Sequence, residues 1–194
     1  MVKLGILVFN GVEELDFVGP FETLSYINKI LPGRVDVKII AKELSLVKAY
    51  NGLRFMPNDT IYSDIAYDIL IIPGGQGRHE AMFDKDILEF ISNQFNNLNY
   101  LCSVCTGSFI VAQAIENISL NATTHYTALE EMAERYPHIN VVSKRVVKNK
   151  TSPKIWFAAG ISSGIDLSLD LIEELFSKEH REQIAKRLEY PPKN

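Results

Sequence analysis

The feature that most restricts this chain is a set of short apolar runs, each closed by a turn and followed by a helical pattern. Leu4 to Phe9 stops at Asn10-Gly11, Ile69 to Ile72 stops at Pro73-Gly74-Gly75, and Tyr100 to Val104 stops at Cys105-Thr106-Gly107. Runs this short are strands. Their near-continuous apolar character, without alternation, is what a strand shows when both faces of its sheet are covered. Val35 to Ile40 joins them through its β-branched content, and Ile155 to Ala158 is expected to pair with a strand from Val141 to Val147.

Between the strands, apolar positions fall at helical spacing. Phe21, Leu24, Ile27 and then Ile30 or Leu31 form one stripe, opened by Pro20 in a first turn and closed by Pro32-Gly33. Further helices are expected over 84–95, from Phe109 to Ala114, over 127–135, through Ile165, Leu169, Ile172 and Phe176, and over 179–188 ahead of a Tyr190-Pro191-Pro192 stop. Leu44 to Met56 is expected to form a hairpin-like excursion turning at Asn51-Gly52. Strand and helix alternate, so the expected fold is an α/β domain with a mostly parallel sheet between two helical layers. A length of 194 residues without repeat or linker suits a single domain over 1–194.

Charge and composition exclude some functions. The net charge of −4 offers no basic face for nucleic acid, and no apolar run approaches the roughly 18 residues of a membrane span. The first strand meets Asn10-Gly11 too soon to be a signal peptide. Two cysteines without a disulfide framework fit a reducing cytoplasm.

Sites in such folds lie at the carboxyl ends of strands, and three strand ends here carry unusual residues. A strand that stops at Cys105 and turns into a helix presents its sulfur at the sheet edge. The helix dipole beyond it is expected to favour the thiolate. Glu13, Glu14 and Asp16 precede the first helix; capping is the ordinary role for Glu13 and Glu14, whereas Asp16 stays open on periodicity alone. A carboxyl beside Cys105 would have to be protonated, which burial encourages, and its proton could then pass to a substrate. Gly74 and Gly75 are either a plain loop or a close backbone approach aiming N–H groups at developing negative charge. Arg78 and His79 follow in a loop, either contacting a ligand or facing solvent. His125 is as well explained by a structural hydrogen bond as by base catalysis.

Cys102 and Cys105 form a C-x-x-C, but along a strand their α-carbons lie about 10 Å apart, beyond the ~7 Å limit of a disulfide. A zinc site would lack further ligands, so Cys102 is assigned to the core. Gly160 to Gly164 has no lysine after its last glycine and is not a P-loop.

Together these segments resemble the ThiJ/PfpI superfamily. The stretch from Glu13 through Asp16, Gly19 and Pro20 to Glu22 resembles its D-x-x-G-P-x-E segment, Ile71 to Gly75 its glycine loop, and Ser103 to Phe109 its nucleophile elbow. Ala122 to Tyr126 and Ala159 to Asp166 are similar to two downstream motifs. Asp16 with Cys105-Thr106 is most similar to the isonitrile (isocyanide) hydratase branch, and also to the amino-terminal domain of some AraC-type regulators. The resemblance implies a flavodoxin-like three-layer sandwich of the class I glutamine amidotransferase type, a homodimer, and no metal or organic cofactor. It implies Cys105 as nucleophile, Asp16 as acid/base and Thr106 as its assistant, with Gly74 and Gly75 bordering an anion-stabilising pocket. Protease members carry histidine after the cysteine; Thr106 stands there instead. The implied activity is hydration of a small molecule, an isonitrile in the first instance. The alternatives are a glyoxalase- or deglycase-like enzyme, or a ligand- or redox-sensing domain without turnover.

Overall fold

The computed structural model describes residues 1–115 and 118–191. In chain order it runs β1 (Val2–Leu7), α1 (Glu14–Ser25), β2 (Val35–Ala41), β3 (Val47–Lys48), β4 (Arg54–Phe55), β5 (Asp59–Thr60) and β6 (Ile69–Ile72). Then come α2 (Arg78–Ala81), α3 (Lys85–Phe95), β7 (Tyr100–Val104), α4 (Gly107–Ala114), β8 (Asn121–Ala122) and α5 (Leu129–Arg135). The chain finishes through β9 (Asn140–Val141), β10 (Val146–Lys148), β11 (Lys154–Ala158), α6 (Ser163–Leu175) and α7 (Lys178–Arg187).

Seven of these strands form one sheet in the order β10-β11-β7-β6-β1-β2-β5, parallel throughout except for the antiparallel edge strand β10. Successive residues of β6 explain the unbroken apolar runs. Ile69 and Ile71 join the core shared with α1, α6 and α7, while Leu70 and Ile72 join the core shared with α3 and α4. With helices on both sides, neither face can afford polar residues. The result is the mostly parallel α/β domain that the alternating pattern predicts, in the flavodoxin-like sandwich form that the resemblance implies.

Three local differences have physical causes. The first helix begins at Glu14 rather than at Pro20, so Pro20 lies inside it. An internal proline costs about 3 kcal/mol, and packing offsets it here: α1 lies against α6, where a Cβ on Gly164 would sit only 3.2 Å from the Pro20 ring. The consequence is that Asp16 falls in the first turn of a helix. Second, the expected strand from Val141 to Val147 divides. Asn140 and Val141 pair in parallel with β8, and only Val146 to Lys148 reaches the main sheet. Third, the last helix is displaced by one residue at each end; Pro192 of its expected stop lies outside the described residues.

The other elements follow the pattern. The Asp84 side chain caps α3 by accepting from the N–H of Asp86 at 3.0 Å and of Ile87 at 3.4 Å. The hairpin pairs Val47 with Phe55 around Gly52, whose φ of 105° suits glycine. No helix among the described residues is long and apolar enough to cross a membrane.

Phe109, on α4 directly after the elbow, is fully buried and supports both the core and the guanidinium of Arg78, 4.0 Å above its ring. Phe109→Ala is expected to lower stability by about 3–5 kcal/mol in urea denaturation, the usual cost of emptying a buried aromatic position.

Candidate active site

The carboxyl ends of β1, β6 and β7 are neighbours, and their loops meet at Cys105. Cys105 has a φ of 57°, a left-handed conformation uncommon for a side chain larger than glycine. Holding it costs on the order of 1–3 kcal/mol. The backbone is pinned from several sides. The Cys105 N–H donates to the Ala158 carbonyl at 2.9 Å, and its own carbonyl accepts from the Thr124 hydroxyl at 3.1 Å and the Ser108 hydroxyl at 3.2 Å. Gly107 makes the sharp turn possible: a Cβ there would lie 2.0 Å from the Ile72 carbonyl oxygen.

Asp16 reaches this elbow from α1. It is completely buried, and its Oδ2 accepts the Gly74 N–H at 3.0 Å. Oδ1 is buried without a well-formed hydrogen bond, and the carboxyl lies close enough to the Cys105 thiol for each to perturb the other. Burial, reinforced by the charge of Glu13, pushes Asp16 up to about 7. Burial and the negative charge of Asp16 push the Cys105 thiol up to about 12. The backbone and hydroxyl of Thr106, at the start of α4, do act in the thiolate's favour, as the helix dipole predicts, but burial outweighs them. The pair therefore resists carrying two negative charges at once. A thiolate forms most easily when its proton stays nearby on Asp16.

The glycines hold this pair in place. The Gly74 N–H is given to Asp16 and the Gly75 N–H to the Thr106 hydroxyl, at 3.1 Å. In this conformation both donors expected to face developing charge are already engaged. Neither glycine admits a side chain, since a Cβ on Gly74 would lie 2.5 Å from the Thr106 nitrogen, and one on Gly75 2.4 Å from the Glu13 nitrogen. Cys102, as expected, is wholly buried in β7, and both cysteines are free thiols.

A cavity of about 240 Å³ is lined by Cys105 and Thr106. Its wall includes Glu13, Tyr50, Arg78, His125, Glu131 and Ile161. Arg78 does not face solvent in a loop; it lies on α2 and lines the cavity. It is buried on the Phe109 ring and gives two hydrogen bonds to Glu131 on α5, at 3.2 and 2.6 Å. This ion pair escaped sequence reasoning because its members lie 53 positions apart and neither lies in a motif. His79 also lines the cavity. His125 lines it with Nδ1 2.8 Å from the Thr127 hydroxyl. Glu13 and Glu14 do not cap α1 through their side chains, contrary to expectation. They bind Asn51 of the β3–β4 hairpin instead, Glu14 at 2.7 and 2.8 Å and Glu13 at 3.1 Å. Among the described residues, no group of three or more His, Cys, Asp or Glu side chains is arranged to hold a metal ion.

The family model that matches this sequence, over residues 2–174, is that of the DJ-1/PfpI family. The chain belongs to this family. An isonitrile hydratase of Pseudomonas putida is 32% identical over 98% of this chain and 79% of its own length. A glutathione-independent glyoxalase of Caenorhabditis elegans, DJR-1.2, is 27% identical over 82% of this chain and 83% of its own. Among solved structures, a THiJ/PfpI family protein from Pseudomonas syringae superposes with a TM-score of 0.87 at 27% identity, covering 100% of this chain and 76% of that one.

The raised Asp16 pKa has a sign that can be checked. Because the folded value lies above the group's ordinary value of 3.8, the native protein holds a proton that the unfolded chain releases. The associated stability is complete below the unfolded pKa and is lost as pH rises through about 7. Asp16→Asn is therefore expected to match wild type near pH 4 and to exceed it at about pH 8 by on the order of a few kcal/mol, read from urea midpoints.

Proposed function

We propose that this chain is a cysteine-dependent hydratase that converts small isonitriles to N-substituted formamides. The observation that carries the proposal is the buried Cys105–Asp16 pair, a thiol and a carboxyl side by side at a small cavity lined by Cys105. The similarity to an isonitrile hydratase over nearly the whole chain supports the substrate class.

An isonitrile presents a terminal carbon that is attacked by soft nucleophiles and then carries a lone pair needing a proton. The Cys105 sulfur would add to that carbon while Asp16 holds the thiol's proton and delivers it to the same carbon. The product is a thioimidate, with sulfur, hydrogen and the N-substituted imine on one carbon. Water then adds, the C–S bond breaks, and the formamide leaves. Thr106 would steady the sulfur through its backbone N–H and hydroxyl, both of which favour the thiolate. Gly74 and Gly75 serve by bringing the β6 loop against Asp16 and Thr106. A cavity of about 240 Å³ suits a small substrate.

The similarity to a glyoxalase supports a second reading, in which the same sulfur adds to a dicarbonyl. Lactate formation from methylglyoxal, in place of formamide from isonitriles, would favour it.

Purified protein is expected to release the matching formamides from phenyl and tert-butyl isonitrile, followed by chromatography. Cys105→Ala is expected to abolish the activity, and Asp16→Asn to reduce it by about 10²–10⁴-fold, the range for losing a positioned acid/base. Full activity in Cys105→Ala, or no formamide from the wild type, would contradict the proposal.

A further inference from the structure

The hydratase reading leaves one role open: which group activates the water that hydrolyses the thioimidate. We propose that it is Glu13 rather than Asp16. Asp16 is completely buried beside the sulfur and forms no part of the cavity wall. It is placed to exchange a proton with Cys105 and with an atom bonded to that sulfur, but not with a water in the cavity. Glu13 precedes it by three residues, is only half-buried, and lines the cavity together with Cys105.

Glu13 is held at both its backbone and its side chain. Its N–H donates to the Gly74 carbonyl at 3.0 Å, so one glycine holds Asp16 through its N–H and Glu13 through its carbonyl. Its Oε1 accepts from the Asn51 side chain at 3.1 Å, which leaves a carboxylate further capacity to accept a water proton. Its negative charge also acts on Asp16.

The other acidic group on the wall is occupied. Glu131 accepts two hydrogen bonds from Arg78, which hold its carboxyl below the usual range and make it a poor base. His125 also lines the cavity, with Nδ1 engaged by Thr127; its Nε2 is the competing base, and His125→Ala separates the two.

The proton ledger then closes. Thiolate attack forms the S–C bond, and the Asp16 proton goes to the isonitrile carbon. Glu13 takes a proton from water as the hydroxide adds to that carbon, and returns it to the imine nitrogen. The C–S bond breaks with its electron pair on sulfur, and the hydroxyl proton returns to the Cys105–Asp16 pair as the formamide carbonyl forms. No oxidant or further reactant is required.

The inference rests on the hydratase reading, and one experiment separates the two. The wild type, Glu13→Gln, Glu13→Ala, Glu14→Gln and His125→Ala are mixed with phenyl isonitrile. Enzyme mass is followed by rapid-quench mass spectrometry and formamide by chromatography. Glu13→Gln is expected to gain one substrate mass as fast as wild type and then to hydrolyse this adduct about 100-fold or more slowly. Added formate is expected to restore hydrolysis in Glu13→Ala by occupying the vacated carboxylate position. Glu14→Gln, which loosens the same hairpin without touching the cavity, is expected to hydrolyse the adduct like wild type. Unimpaired hydrolysis in Glu13→Gln overturns the inference alone, as does an equal stall in Glu14→Gln, a stall in His125→Ala instead, or no rescue by formate. A wild type that gives neither adduct nor formamide overturns the hydratase reading and the inference with it.

Discussion

One negative charge buried between two acidic groups governs this site. Asp16 and Cys105 are both largely withdrawn from water, which raises the cost of ionising each; the Asp16 charge adds to that cost at Cys105, whereas the thiol favours the Asp16 carboxylate through a hydrogen bond. In water their protons would leave independently; here the two groups behave as one unit that tolerates a single charge. On the hydratase reading proposed above, that arrangement keeps a proton beside the sulfur for delivery to an isonitrile carbon as it is attacked.

The fold supplies this juxtaposition from distant parts of the chain. Three parallel strands end side by side: β1 leads into the turn before α1, β6 into the glycine loop, and β7 into the elbow. The glycine loop is the connecting piece, because its two N–H groups bind the acid and the threonine while leaving no room for a Cβ. The strained backbone of Cys105 is held by contacts from β11 and from Thr124. Strain at one residue is sustainable because hydrogen bonds from several elements determine it together.

Much of this was legible in the sequence, for identifiable reasons. Apolar runs without alternation announced a sheet covered on both faces, and the break at Cys105-Thr106-Gly107 announced the elbow. Asp16 was recognisable through its place in a motif, not through periodicity. Local rules failed where tertiary packing prevailed. Pro20 marked a helix start by its chemistry, yet α1 runs through it because the ring packs on α6. Glu13 and Glu14 looked like caps, but the hairpin draws them away through Asn51. The dipole of α4 was expected to set the cysteine's ionisation, and burial set it instead. The Arg78–Glu131 pair and the shape of the cavity depend on contacts between segments far apart in sequence, which no local pattern encodes.

The shared charge is tested most directly by the pH dependence of Cys105 alkylation. Iodoacetamide labelling, resolved by peptide mass spectrometry, would be compared between wild type and Asp16→Asn. Removing the Asp16 charge is predicted to shift the labelling midpoint of Cys105 to lower pH, so that the variant is modified faster in mildly alkaline buffer. A midpoint that stays in place or moves upward would contradict the coupling on which the site depends.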